Sequence, residues 1–235
     1  MTGNRGGNAK WLEPLLRTGV LAILDSGICG ELSRMVSTAK KLSMAGIGFF
    51  QLRAKGMADA QMVSWAINLR RALPESVITI NDRCDIAEVA GVQGVHLGAG
   101  DLSVSAARGI LSPGRLVGSS AGDLREMGLA VSARPDYLSI GPAFATKTKR
   151  DAGEALRVSG FAGLRQKAPK GLPVLAVGGI NPDNTGRLVN AGADAVAVAS
   201  LWFRCRNPER AAREMLEAVV VARKKKSAHG ALSRR

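Results

Sequence analysis

The chain has 235 residues, 46% of them hydrophobic, and a net charge of +14 from 33 Lys and Arg against 19 Asp and Glu. That length suits one α/β barrel, which takes roughly 250 residues, while no apolar run approaches the roughly 20 residues of a membrane-spanning helix. Cys29, Cys84 and Cys205 lie far apart with no Cys-x-x-Cys pair, which argues against a zinc site or a disulfide framework and suits a reducing cytoplasm.

In chain order, the opening MTGNRGGNAK lacks the apolar stretch of a secretory signal. Residues 1–18 read as an N-terminal extension, partly helical from Trp11. Short apolar, β-branched runs follow at 20–25 (VLAILD), 47–53 (IGFFQLR), 77–82 (VITIND) and 93–97 (QGVHL). Four more lie at 116–120 (LVGSS), 136–141 (DYLSIG), 173–178 (PVLAVG) and 194–199 (DAVAVA). Their near-continuous apolar character predicts strands buried on both faces of a parallel sheet. Between and after them, helical patterning covers 30–46, 57–72, 84–90, 103–111, 122–133, 155–168, 182–191 and 208–223. Ala-Gly pairs at 45–46, 90–91 and 191–192 offer glycine stops, and Asn207 before Pro208 offers a cap for the last helix. Eight strands alternating with eight helices predict a single-domain (β/α)8 TIM barrel over residues 19–223.

The last residues, RKKKSAHGALSRR, have no apolar period, so 224–235 read as a basic, disordered tail. A basic chain raises the question of nucleic acid. The 9 aromatic residues (3 Trp, 1 Tyr, 5 Phe) do not interleave with basic residues as a stacking surface would, so nucleic acid is disfavoured as a partner. Anionic small-molecule substrates account for the same charge, and a homodimer is the expectation for such a barrel.

In this fold the active site forms at the C-terminal ends of the strands, and there the polar residues gather. Gln51, Arg53 and Lys55, spaced by two, share one side of an extended chain. Asn81 and Asp82 end the third strand, and Asp101 follows the fourth on the same face. Two carboxylates with oxygen-rich neighbours favour Mg²⁺ completed by water and substrate phosphate. His96 reads either as a general base or as a hydrogen-bonded structural residue, and its apolar strand favours the second. Ser120 ends the fifth strand. The sixth leads into a hydroxyl- and cation-rich loop with Thr146, Lys147, Thr148 and Lys149, built to wrap an anion. Gly178 and Gly179 after the seventh strand, with Ala199 and Ser200 after the eighth, occupy the usual phosphate cradle of the fold.

Taken together, QLRAK, IND-R-x-D, GVHLG-x-x-D, G-x-S, GPAFATKTK, GGI and GAD-x-V-A-V-x-S stand in order on successive strand ends over residues 20–203. This set resembles the thiamine-phosphate synthase (thiamine-phosphate pyrophosphorylase) family. The resemblance implies a transferase joining 4-amino-5-hydroxymethyl-2-methylpyrimidine diphosphate to 4-methyl-5-(2-phosphoethyl)thiazole, or its carboxylated form, with release of diphosphate. It implies that Gln51, Leu52, Arg53, Ala54, Lys55, Asn81, Ser120 and Lys149 hold the pyrimidine diphosphate, with Lys149, Ser120, Lys55 and Arg53 catalytic. Asp82 and Asp101 would bind Mg²⁺; Thr146, Lys147, Thr148, Gly179, Ala199 and Ser200 would hold the thiazole phosphate. The chain departs from the family at Ala99, where Gln is common, at Ala121-Gly122, where a small residue and His-Thr are common, and in a first strand without Tyr. A tautomerase-like relative on the same barrel is the closest rival, and it would need neither metal nor diphosphate.

Overall fold

The computed structural model of the protein describes residues 8–146, 148 and 153–232, the last four by backbone alone. Its strands are β1 (Val20–Asp25), β2 (Phe49–Arg53), β3 (Val77–Asn81), β4 (Gly94–Leu97), β5 (Leu116–Ala121), β6 (Tyr137–Ile140), β7 (Val174–Val177) and β8 (Ala195–Val198). Each pairs in parallel with the next, and β8 returns to β1 through Val20 beside Val196, so the sheet closes into a barrel. The helices are α1 (Ala9–Thr18), α2 (Ser26–Cys29), α3 (Leu32–Met44), α4 (Asp59–Ala72), α5 (Cys84–Ala90) and α6 (Val104–Ile110). The remainder are α7 (Leu124–Ser132), α8 (Arg157–Lys167), α9 (Pro182–Asn190), α10 (Leu201–Arg204) and α11 (Pro208–Leu232). The predicted strands and main helices all appear, with ends shifted by a few residues. The one-turn helices α2 and α10 are too short to give a periodic signal, and the sequence reading missed them.

Alternation of side chains divides the apolar residues into two cores. Val20, Ala22, Leu24, Phe50, Leu52, Ile78, Ile80, Val95 and Val117 face outward into a large layer shared with the helices. Leu21, Ile23, Phe49, Val77, Leu116, Tyr137, Leu175, Ala195 and Ala197 face inward and fill the barrel. Helix α1 closes the N-terminal end by adding Leu12 and Leu15 to that inner core. Asn8 ties it to the rim by donating to the Arg115 carbonyl and the Asp136 carboxylate, while the Trp11 indole donates to the Gly114 carbonyl.

The glycines at the Ala-Gly stops, Gly46, Gly91 and Gly192, take left-handed backbone, and Asn207 caps α11 through the Arg210 N–H. The C-terminal expectation needs correcting. Helix α11 does not end at residue 223 but continues to Leu232. Extending a packed helix avoids the nucleation cost, and Lys, Ala and Arg are good helix formers, so no apolar period is required there. Arg223 anchors the extension, donating to the carbonyls of Arg17 and Asp194 at 2.9 and 2.7 Å.

Gly118 of β5 shows how tightly the interior is filled. A Cβ there would lie 2.1 Å from Cζ of Tyr137 on β6, a distance real atoms do not tolerate. Gly118→Ala is therefore expected to destabilise the fold by at least about 2 kcal/mol through overpacking, read as a lower urea midpoint with an unchanged slope.

Candidate active site

Strand alternation carries inward polar residues toward the C-terminal mouth of the barrel, where a cavity of about 810 Å³ opens. Gln51, Arg53 and Lys55 line it, as do Asn81, Asp82, Asp101, Ser120, Thr146, Thr148, Gly179, Ala199 and Ser200. Two expected contacts point elsewhere. Leu52 and Ala54 lie in the outer core, because side chains one step out of phase along β2 face the helices. Lys147 and Lys149 fall outside the described residues.

The cationic wall comes from β2. Arg53, partly buried, pairs with the buried Asp25, the last residue of β1, whose carboxylate also caps α2 by accepting from the Ile28 N–H at 3.2 Å. Asp25 was missed in the sequence, although a carboxylate directly after VLAIL is visible there. Gln51 donates to the Asn81 side-chain oxygen at 2.8 Å, joining β2 to β3. Lys55 Nζ lies 3.3 Å from Asp82 and remains half exposed.

The acidic corner comes from the ends of β3 and β4. Asp82 has φ +68, a left-handed conformation that Asp tolerates better than most residues, and its N–H donates to the His96 carbonyl at 2.8 Å. Beside it on the outer surface, Arg83 pairs with both Asp59 and Asp85, which pins this turn. Asp101 accepts from the Gly98 N–H at 2.7 Å, folding its loop back toward Asp82. Burial, then the hydrogen bond and charge of Asp101, push the Asp82 carboxyl up from 3.8 to about 6 against the opposing pull of Lys55. Crowded carboxyls with a raised pKa form a place where a cation would be welcome. Among the described residues no group of three or more His, Cys, Asp or Glu could hold a metal by itself. Two carboxylates completed by water and a phosphate ligand nonetheless suit Mg²⁺.

His96 is in the hydrogen-bonded position expected of a structural histidine. Its Nε2 lies 2.7 Å from Ser120 Oγ, and its Nδ1 lies 3.1 Å from the Tyr137 hydroxyl. Ser139 and Glu126, missed in the sequence, also face the cavity; Glu126 accepts from the Gly122 N–H at 2.6 Å. Gly178 and Gly179 take φ +101 and +62, and a Cβ on them would meet Pro142 and the Ala145 carbonyl at 2.6 Å. Their lack of side chains thus lets the loop after β6 close against the loop after β7.

A raised carboxyl favours folding at low pH: its contribution is complete below about pH 4 and is lost as pH rises through about 6. Asp82→Asn should therefore raise the cation-free melting temperature near pH 7.5 by roughly 2–4 °C, since the half-exposed Lys55 pair it gives up is worth little. Calorimetry with and without Mg²⁺ checks this, with ion-dependent stabilisation expected only in the parent chain.

Residues 20–201 match the family described as thiamine monophosphate synthase. The chain is 34% identical to the thiamine-phosphate synthase of Laribacter hongkongensis, over 87% of this chain and 96% of that protein. It is 37% identical to the thiamine-phosphate synthase of Koribacter versatilis, over 83% and 93% of the two chains. Among solved structures it is similar to the thiamine phosphate pyrophosphorylase from Pyrococcus furiosus, with a TM-score of 0.78 and 26% identity, covering 88% of this chain and 98% of that one. The fold, the cavity at its mouth and these likenesses agree: the chain belongs to the thiamine monophosphate synthase family.

Proposed function

We propose that this chain is a transferase that condenses 4-amino-5-hydroxymethyl-2-methylpyrimidine diphosphate with 4-methyl-5-(2-phosphoethyl)thiazole, or its carboxylated form, to give thiamine phosphate and diphosphate. Membership of the family supports the reaction. The observation that carries it to this cavity is the meeting of Arg53, Lys55, Asp82 and Asp101 at one rim. In this reading the thiazole nitrogen forms a bond to the pyrimidine methylene carbon. The carbon–oxygen bond to the diphosphate breaks, and its electron pair leaves with the diphosphate.

The chemistry places the demand on the leaving group, since an electron-rich aminopyrimidine can share the positive charge of its methylene. Arg53, Lys55 and Lys149 would meet the growing negative charge, and Ser120 would donate a hydrogen bond to it. Asp82 and Asp101 would hold Mg²⁺, which would neutralise charge on the departing diphosphate. Gln51 and Asn81, already bonded to each other, would orient the pyrimidine side. Thr146, Lys147, Thr148, Gly179, Ala199 and Ser200 would hold the thiazole phosphate, with the loop after β6 closing over it. No covalent nucleophile is required.

The test is product formation from the two phosphorylated substrates, with Mg²⁺ and with chelator. Thiamine phosphate and diphosphate are expected only with the metal, and Asp101→Ala should lower the rate by about 100-fold or more. A folded parent chain that yields no product would favour the tautomerase-like reading instead.

A further inference from the structure

The hydrogen bonds behind Ser120 continue past the cavity wall. Ser120 meets His96, His96 meets the Tyr137 hydroxyl, and the Thr79 side chain is a polar neighbour of the same phenol. Tyr137 and Thr79 have no solvent exposure, and neither lines the cavity. Tyr137 is the chain's one tyrosine. Its ring lies over the Cβ-less Gly118 and stacks on His96, with centroids 5.4 Å apart and planes at 23°. A buried phenol held this closely, one residue removed from the site, has no part in the proposed reaction.

We propose that Tyr137 is a positioning residue that, through His96, holds the Ser120 hydroxyl as a hydrogen-bond donor to an anion in the cavity. The inference rests on the reading of this cavity as the diphosphate site.

Each hydroxyl in this chain of bonds has one hydrogen to give. Thr79 donates its hydroxyl hydrogen to the Phe50 carbonyl at 3.4 Å, and the hydrogen bond of the Tyr137 hydroxyl is to His96 Nδ1. Burial pushes the phenol far above its ordinary pKa, so it keeps its own hydrogen and donates it to His96 Nδ1. A neutral imidazole carries one N–H, and an accepting Nδ1 places it on Nε2. That N–H donates to Ser120 Oγ, which leaves the serine hydrogen to turn toward the cavity. With the opposite polarity Ser120 would donate to His96 and present lone pairs to the anion, an arrangement that a phosphate ligand disfavours. The buried end and the ligand end thus select the same direction.

The chain has two histidines, so a His229→Gln background leaves one imidazole to observe by nitrogen NMR. In that background the expected tautomer of His96 is Nε2–H. Tyr137→Phe should populate both tautomers, and it should raise the Kd for inorganic diphosphate with Mg²⁺, read by calorimetry, by about 10-fold. The Kd for the thiazole phosphate should stay within about twofold of the parent. Thr79→Val, which removes a polar neighbour of the phenol, should move both readouts the same way by a smaller factor and serves if Tyr137→Phe does not fold. An unchanged tautomer, or an unchanged diphosphate Kd, in the folded variant overturns the proposal. Neither readout needs turnover, so a parent chain inactive toward the two substrates would sink the functional reading without deciding this one.

Discussion

Closure of the barrel is the constraint on which the rest depends. Once β8 pairs with β1, every second side chain of every strand must enter one narrow interior. The composition along each strand then becomes a composition along the barrel axis. Phe49, Gln51 and Arg53 succeed one another on β2, Val77, Thr79 and Asn81 on β3, and Leu116, Gly118 and Ser120 on β5. Each series passes from apolar at the closed end to polar at the mouth. The gradient gives a dry base that fixes positions and a wet rim that can meet a charged ligand. Shared space also sets which residues must be small. Gly118 leaves room for the Tyr137 ring, whereas Gly94 and Gly141 let the backbone carbonyls of Leu116 and Val177 come close.

At the mouth, opposite charges are held near one another but not fully spent. Arg53 is committed to Asp25, whereas Lys55 shares the half-buried Asp82 with the repulsion of Asp101. An arrangement of this kind is unsettled without a ligand, and a phosphate carrying a divalent cation would satisfy both sides. The wider excess of Lys and Arg adds a long-range attraction for such anions, which speeds encounter more than it deepens binding.

Much of this was legible in the sequence because the signals were local. Apolar runs of four to six residues marked the strands, and the polar residue just past each run marked the mouth; Arg53, Asp82 and Ser120 were all found that way. What escaped has a common cause. The helices α2 and α10 have four residues each, too few for a hydrophobic period to repeat. Leu52 and Ala54 sat inside a motif whose alternate residues turn away from the site. The ties of Asp25 to Arg53 and of Tyr137 to His96 join residues 28 and 41 positions apart, and no spacing rule reaches that far. Glycine was the most ambiguous letter. After the seventh strand glycine reads as part of a phosphate cradle, yet at Gly118 the space it leaves is taken by a phenol ring.

Helix α1 gives the barrel a floor. With Leu12 and Leu15 seated among the innermost strand residues, and Arg223 of α11 fastening the end of that helix, the described residues stopper this end of the vessel and leave the mouth open. The N-terminal segment, far from the mouth, thereby bears on which end of the barrel a ligand can enter.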